Sequence, residues 1–95
     1  MPEVRFLGII RDWMGHSSLA LEAERVGELL NQMRSSGGKG VREHFFSADG
    51  KPRKDVEILV NGRNIRFLQE LDTPLNRDDL VTIYLHGSWW EFPFL

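Results

Sequence analysis

The side chains able to do chemistry are few and scattered. His16, His44 and His86 fall in three separate stretches of the 95-residue chain, with no i, i+4 pair and no cysteine. Thiolate catalysis, disulfides, iron–sulfur clusters and zinc–cysteine sites are excluded, and no metal site is expected. Asp72, Asp78 and Asp79 lack the spacing of an EF-hand loop and read as a solvated turn. Gly37-Gly38-Lys39-Gly40 has no Ser or Thr directly after its lysine, and it trails a helix where a phosphate loop would open one. Ser17-Ser18 has no nucleophile-elbow context. Neither an enzyme nor a cofactor is expected from these residues. The segment with the most pronounced chemistry is the C-terminus, Gly87-Ser88-Trp89-Trp90-Glu91-Phe92-Pro93-Phe94-Leu95. In an extended segment Trp90, Phe92 and Phe94 share one face, and Trp89 takes the other. Aromatic anchors of this kind are typical of protein interfaces.

Composition bounds what can position these groups. Hydrophobic residues make up 41% and charged residues 27%, as in a folded domain, and the length suits one domain over residues 1–95 with 88–95 as an aromatic extension. The net charge of −2 lacks the basic excess that phosphate binding requires, so no nucleic acid is expected as a partner. Lys51, Arg53 and Lys54 form the one basic cluster and read as a solvated loop. The N-terminus MPEVRFLGIIRDW lacks the basic start, long apolar middle and cleavage site of a signal peptide. No apolar run approaches the ~20 residues of a membrane span. A cytoplasmic protein with no membrane contact is the expectation.

The elements follow from periodicity. Residues 3–10 read as a strand with Val4, Phe6 and Ile10 on one face and Leu7 and Ile9 on the other, which suggests a strand inside a sheet. Arg11 to Gly15 reads as a turn in which Gly15 is able to take positive φ, and 17–22 reads as a half-buried strand with Leu19 and Leu21 inward. Val26, Leu29, Leu30 and Met33 form one apolar face of a helix over 24–35, stopped by Gly37 and Gly38. Gly27 inside it suggests close packing against the sheet. Residues 36–54 are loop-rich, with Phe45 and Phe46 anchoring a short helical turn. Asn61-Gly62 predicts a two-residue hairpin turn, and the register it sets places Val60 opposite Arg63, Ile58 opposite Ile65 and Val56 opposite Phe67. Residues 80–86 close the series as a strand with Val81, Ile83 and Leu85 on one face. One amphipathic helix over a mixed sheet follows.

Three stretches carry a resemblance. VRFLGIIRDWMG with the helix VGELLNQM, the hairpin DVEILVNGRNIRF, and LDTPLNRDDLVTIYL together resemble the ubiquitin-like sulfur carriers of the MoaD/ThiS family, and the hairpin is closest to the small subunit of molybdopterin synthase. The resemblance spans about residues 4 to 86. It implies an α+β fold of the ubiquitin-like β-grasp type, with four to five strands packed on one main helix. It also implies a carrier role. In that family an E1-like enzyme adenylates a C-terminal Gly-Gly carboxylate with ATP. Sulfur then replaces the adenylate, and the thiocarboxylate is delivered to a precursor held by a large synthase subunit, as in molybdenum or tungsten cofactor synthesis. The implied partners are therefore an E1-like activating enzyme or a synthase large subunit.

The chain departs from the family at that terminus. Trp89 and Trp90 stand where Gly-Gly would fall, and five residues follow them. Gly87 is the possible equivalent of the carrier terminus. Three readings of the tail stand side by side. It completes the core of its own domain; or Trp89, Trp90, Phe92, Phe94 and Leu95 dock on a partner or on another copy of the chain; or proteolysis removes it to expose Gly87.

Overall fold

The structure is a computed structural model and describes residues 1–86. Five strands, β1 (Glu3–Phe6), β2 (Ser18–Ala20), β3 (Val56–Val60), β4 (Arg63–Asn64) and β5 (Leu80–Leu85), form one sheet in the order β2-β1-β5-β3-β4. The adjacent pair β1 and β5 is parallel, with Val4 opposite Val81, and the other pairs are antiparallel. This is the mixed sheet expected. Three helices accompany it: α1 (Ile9–Met14), α2 (Val26–Ser36) and α3 (Lys39–His44).

The period-two pattern of the strands sends Val4, Phe6, Ile58, Val81 and Ile83 into the core, where they meet Val26, Leu29, Leu30 and Met33 of α2. Val41 and Phe45 close the same core from α3, and Phe46 packs edge-on to Phe45 with ring centroids 4.8 Å apart. Apart from Val41, these residues are the predicted ones, and the main helix runs where its apolar face predicts. Leu85 is only partly buried.

Three local expectations fail, each for an identifiable reason. The first strand ends at Phe6, not at residue 10. Gly8 takes φ 61° and ψ −138°, a conformation that side chains resist, and the chain turns there into α1. Ile10 and Met14 are buried at the i, i+4 spacing of that helix, so Leu7 and Ile9 face no second sheet surface. Arg11 to Met14 is helix where a turn is predicted; Gly15 caps it with φ 77°. β1 is nonetheless interior, between β2 and β5.

The second failure is the hairpin. The Asn61-Gly62 turn forms with φ values of 52° and 84°, and Val60 pairs with Arg63 as predicted. The pairing stops one step later, at Leu59 opposite Asn64. The Asn64 side chain accepts the backbone N–H of Arg66 at 2.9 Å and caps a 3-10 turn over Ile65–Phe67, which lifts the chain off the sheet. Ile58 and Ile65 are not cross-strand partners, and neither are Val56 and Phe67. Ile58 and Val56 instead pair with Ile83 and Leu85 of β5, and Phe67 is 83% exposed.

The third concerns Gly27. A Cβ there would lie 3.3 Å from the carbonyl oxygen of Leu71, so the helix approaches a second 3-10 turn, Glu70–Asp72, not the sheet.

Candidate functional site

β5 is the central strand, held by β1 on one side and β3 on the other, and it leads directly into the C-terminal tail. The site is therefore built from whatever surrounds its end. Leu85 lies opposite Val56, and the backbone N–H of His86 donates to the carbonyl of Asp55 at 2.6 Å. The strand pairing thus continues to the last described residue and fixes where the tail departs.

A polar cluster gathers at that point. Glu57 projects from β3 on the face opposite the core, because Val56 and Ile58 point inward. Its side chain is only 9% exposed. One carboxylate oxygen, Oε2, lies 3.2 Å from His86 Nδ1. The other, Oε1, forms an ion pair with Arg66 Nη2 at 3.3 Å and accepts from Asn64 Nδ2 at 3.3 Å. Arg66 also donates through Nη2 to the carbonyl of Lys54 at 2.7 Å. The 3-10 turn capped by Asn64 is what brings Arg66 round to the carboxylate. Taking a carboxylate out of water is costly unless such partners surround it. The cluster links His86, the last described residue, to β3. It contains no nucleophile beside a base.

The remaining candidates do not converge. His16 is exposed after α1, and His44 rests beside the Trp13 ring with centroids 5.6 Å apart. Among the described residues no three His, Asp or Glu side chains come together as a metal site would require. The backbone N–H groups of Asn76 and Leu80 are taken by Asp79 and Asn61 side chains, so the 76–80 acidic turn is closed by its own Asp79 and pinned to the Asn61 turn. No helix of the described residues is long and apolar enough to cross a membrane. Gly87, Trp89, Trp90, Phe92, Phe94 and Leu95, the residues singled out from sequence, lie outside the described residues. Glu57, Asn64 and Arg66 were not anticipated. The available signal was a lone carboxylate inside the apolar run Val56-Glu57-Ile58-Leu59-Val60.

The site stands at the end of a fold with many counterparts. Residues 4–83 match the ThiS family. A candidate sulfur carrier protein of Archaeoglobus fulgidus is 31% identical over 72 residues, 74% of this chain and 81% of that protein. The solution structure of the small archaeal modifier protein SAMP1 from Methanosarcina acetivorans superposes with a TM-score of 0.78 at 26% identity, covering 92% of this chain and 93% of that one. The crystal structure of CysO from Mycobacterium tuberculosis gives 0.76 at 25% identity, covering 90% and 99%. The five-stranded sheet on its main helix is thus the ubiquitin-like β-grasp fold, and the chain belongs to the ThiS family of ubiquitin-like sulfur carriers.

Proposed function

We propose that this chain is a non-enzymatic, cytoplasmic carrier or partner protein of the kind represented by the small subunit of molybdopterin synthase. Family membership is the observation that carries this reading, because the matched segment ends at residue 83, just before the tail departs. The sequence likeness of the 55–67 hairpin to the molybdopterin branch supports the choice of pathway. Its partners would be an E1-like activating enzyme and a synthase large subunit. The activating enzyme would couple a C-terminal carboxylate to AMP. A sulfur donor would then displace the AMP, breaking the acyl C–O bond and forming a C–S bond. The whole chain, 1–95, would act as one β-grasp domain with 88–95 as its extension.

Trp89 and Trp90 favour a second reading. Bulky indoles cannot follow a glycine terminus into a narrow tunnel, so the module has lost carrier chemistry and binds a partner, or a second copy, through Trp89, Trp90, Phe92, Phe94 and Leu95. The described residues support a docking role over core completion, since Val4, Ile10, Val26, Leu29, Met33, Val41, Phe45, Val81 and Ile83 are already fully enclosed by their neighbours.

Intact mass separates the two. Chain incubated with a cognate E1-like enzyme, ATP and a sulfur donor should gain the mass of one oxygen-for-sulfur exchange, either at full length or after trimming to Gly87. No gain on either form removes the carrier reading. Deletion of 88–95 should then abolish a partner pull-down or a self-assembly peak while the fold persists; unchanged partners remove the second. Unfolding on deletion would return the tail to the core.

A further inference from the structure

The basic cluster read from sequence as a solvated loop is part of a larger charge separation. Residues 34–54 hold six Lys or Arg against two acids, Glu43 and Asp49, while the rest of the chain holds six Lys or Arg against twelve acids. The fold gathers the first set at one end. The Arg34 guanidinium lies over the Phe46 ring, 4.2 Å from its centroid, and donates to the carbonyl of Gly50, next to Lys51. Lys51, Arg53 and Lys54 line one cleft with Arg66, and Glu70 is the one acid among them. The backbone N–H of His86 donates to the carbonyl of Asp55, so β5 ends against the same segment. Acids gather at the other end, where α2 and β5 begin. Glu22, Glu24 and Glu28 share a groove with Arg77, Leu75 donates to the carbonyl of Glu24 at 2.9 Å, and Asp78 and Asp79 precede β5.

Two features separate the basic end from an ordinary solvated surface. First, its arginines are held by carbonyl oxygens: Arg34 by Gly50, Arg42 Nη1 by Gly37 at 3.0 Å, and Arg53 Nη1 by His44 at 3.2 Å. A guanidinium fixed through one N–H keeps its other donors for a partner and loses less freedom on binding. Second, the charge is not cancelled locally. Arg53 pairs with Asp55 and Arg66 with Glu57, but Arg34, Arg42 and Lys54 have no carboxylate partner among the described residues. The 11 residues of α2 separate the two ends by ~16 Å along the helix. That is about twice the ~8 Å Debye length at physiological ionic strength, so the far acids do not neutralise this surface.

We propose that this end, formed by Arg34, Arg42, Lys51, Arg53 and Lys54, docks an acidic face of a partner protein beside the point where β5 ends. A protein face suits it better than nucleic acid. A strand of phosphates running past the patch would be carried onto the acidic half of the molecule, whereas a folded partner presents its acids over one limited area. Arginine is also a preferred anchor at protein interfaces. Charge of this kind raises the rate of encounter and brings the partner to the end of β5. The inference adds a surface to the carrier reading and stands whether or not sulfur is carried.

NMR of the full-length chain, titrated with a short oligoglutamate peptide, tests the proposal. Shift changes should concentrate in residues 34–54 and fade as added salt screens the contact. Lys51→Glu combined with Lys54→Glu alters two exposed side chains and leaves the arginine–carbonyl bonds in place. It should weaken binding about tenfold, while its amide spectrum reports that the fold persists. Glu22→Lys combined with Asp78→Lys changes the net charge as much in the opposite sense at the far end, and should leave the 34–54 shifts as they are. Binding that follows net charge in both variants, or shifts spread evenly over the surface, would overturn the proposal. So would single-stranded DNA of matched charge binding residues 34–54 as tightly as the peptide. The same shifts on raising the protein concentration alone would put a second copy there instead, and no shifts at all would leave the surface merely solvated; either result also overturns it.

Discussion

His86 Nδ1 sits 3.2 Å from Glu57 Oε2, which ties the last described residue to a carboxylate held from the other side by Arg66. The relationship is asymmetric. His86 and Arg66 are largely solvated, with side chains 75% and 49% exposed, whereas Glu57 is desolvated. The carboxylate is therefore the member that needs the others. The cluster couples strand β3, the capped turn at Asn64 and the departure point of the tail into one polar unit.

Arg66→Met should expose that dependence. Loss of the guanidinium leaves Glu57 with Asn64 and His86 alone, and a buried acceptor deprived of a partner costs about 1–3 kcal/mol. The midpoint of urea unfolding should fall with the slope unchanged. Adding Glu57→Gln to Arg66→Met should cost less than the sum of the two single changes, because the charge that needed compensation is gone. Strict additivity in this cycle would show that the pair is not coupled.

Phe67→Ser should be nearly neutral, within about 0.5 kcal/mol, as surface substitutions are. The side chain is 83% exposed beyond the capped turn. Had it been the cross-strand partner of Val56, truncation of a buried Phe would cost several kcal/mol, about 3–5. Thermal unfolding of this one variant therefore distinguishes the observed register from the hairpin that the apolar pattern predicts.

That contrast shows where sequence was informative. The face of α2 was legible because four apolar residues at helical spacing admit one reading, and the Asn61-Gly62 turn was legible because its chemistry is local. The failures lie where a short-range signal was overridden. Asn64 capped its own turn and cut β4 to two residues, although Ile65 and Phe67 continued the alternation. Gly8 broke a run, Phe6 to Ile10, whose apolar residues could serve strand or helix alike, and only the Ile10–Met14 spacing distinguished α1. The cluster at the tail was illegible for a different reason. Glu57, Arg66 and His86 are far apart in sequence and meet only through the pairing of β3 with β5 and the capped turn.

Gly40→Ala should destabilise the α1–α3 contact. A Cβ at position 40 would fall 2.5 Å from Cδ1 of Trp13, whose indole also lies 5.6 Å, centroid to centroid, from the His44 ring on the same helix α3. Overpacking of this kind costs about 1–3 kcal/mol, which outweighs the ~1 kcal/mol that Ala gains over Gly in a helix. Lower thermal stability, with an altered near-ultraviolet Trp signal in a chain where Trp89 and Trp90 are changed to Phe, is the expected result. A more stable protein would mean that Trp13 has room to move.

Asp49 provides the pH-dependent prediction. The backbone N–H of Lys51, at 3.0 Å from Oδ1, and then the Ser47 hydroxyl, at 2.9 Å, hold its carboxyl below the usual value of 3.8. Hydrogen bonds to the charged form lower a carboxyl pKa, so folding favours the carboxylate. The sign follows: the contribution is fully present above 3.8 and is lost as pH falls through the lower folded value. The group is fully exposed, so the effect belongs to the 47–51 turn and not to the global fold. A carboxyl-carbon titration by NMR should place Asp49 below 3.8, and the amide of Lys51 should lose its exchange protection over the same interval. In Asp49→Asn that pH dependence should vanish, because the amide oxygen accepts the same bond without titrating. A midpoint at or above 3.8 in the native chain would mean that the carboxylate does not close this turn in solution.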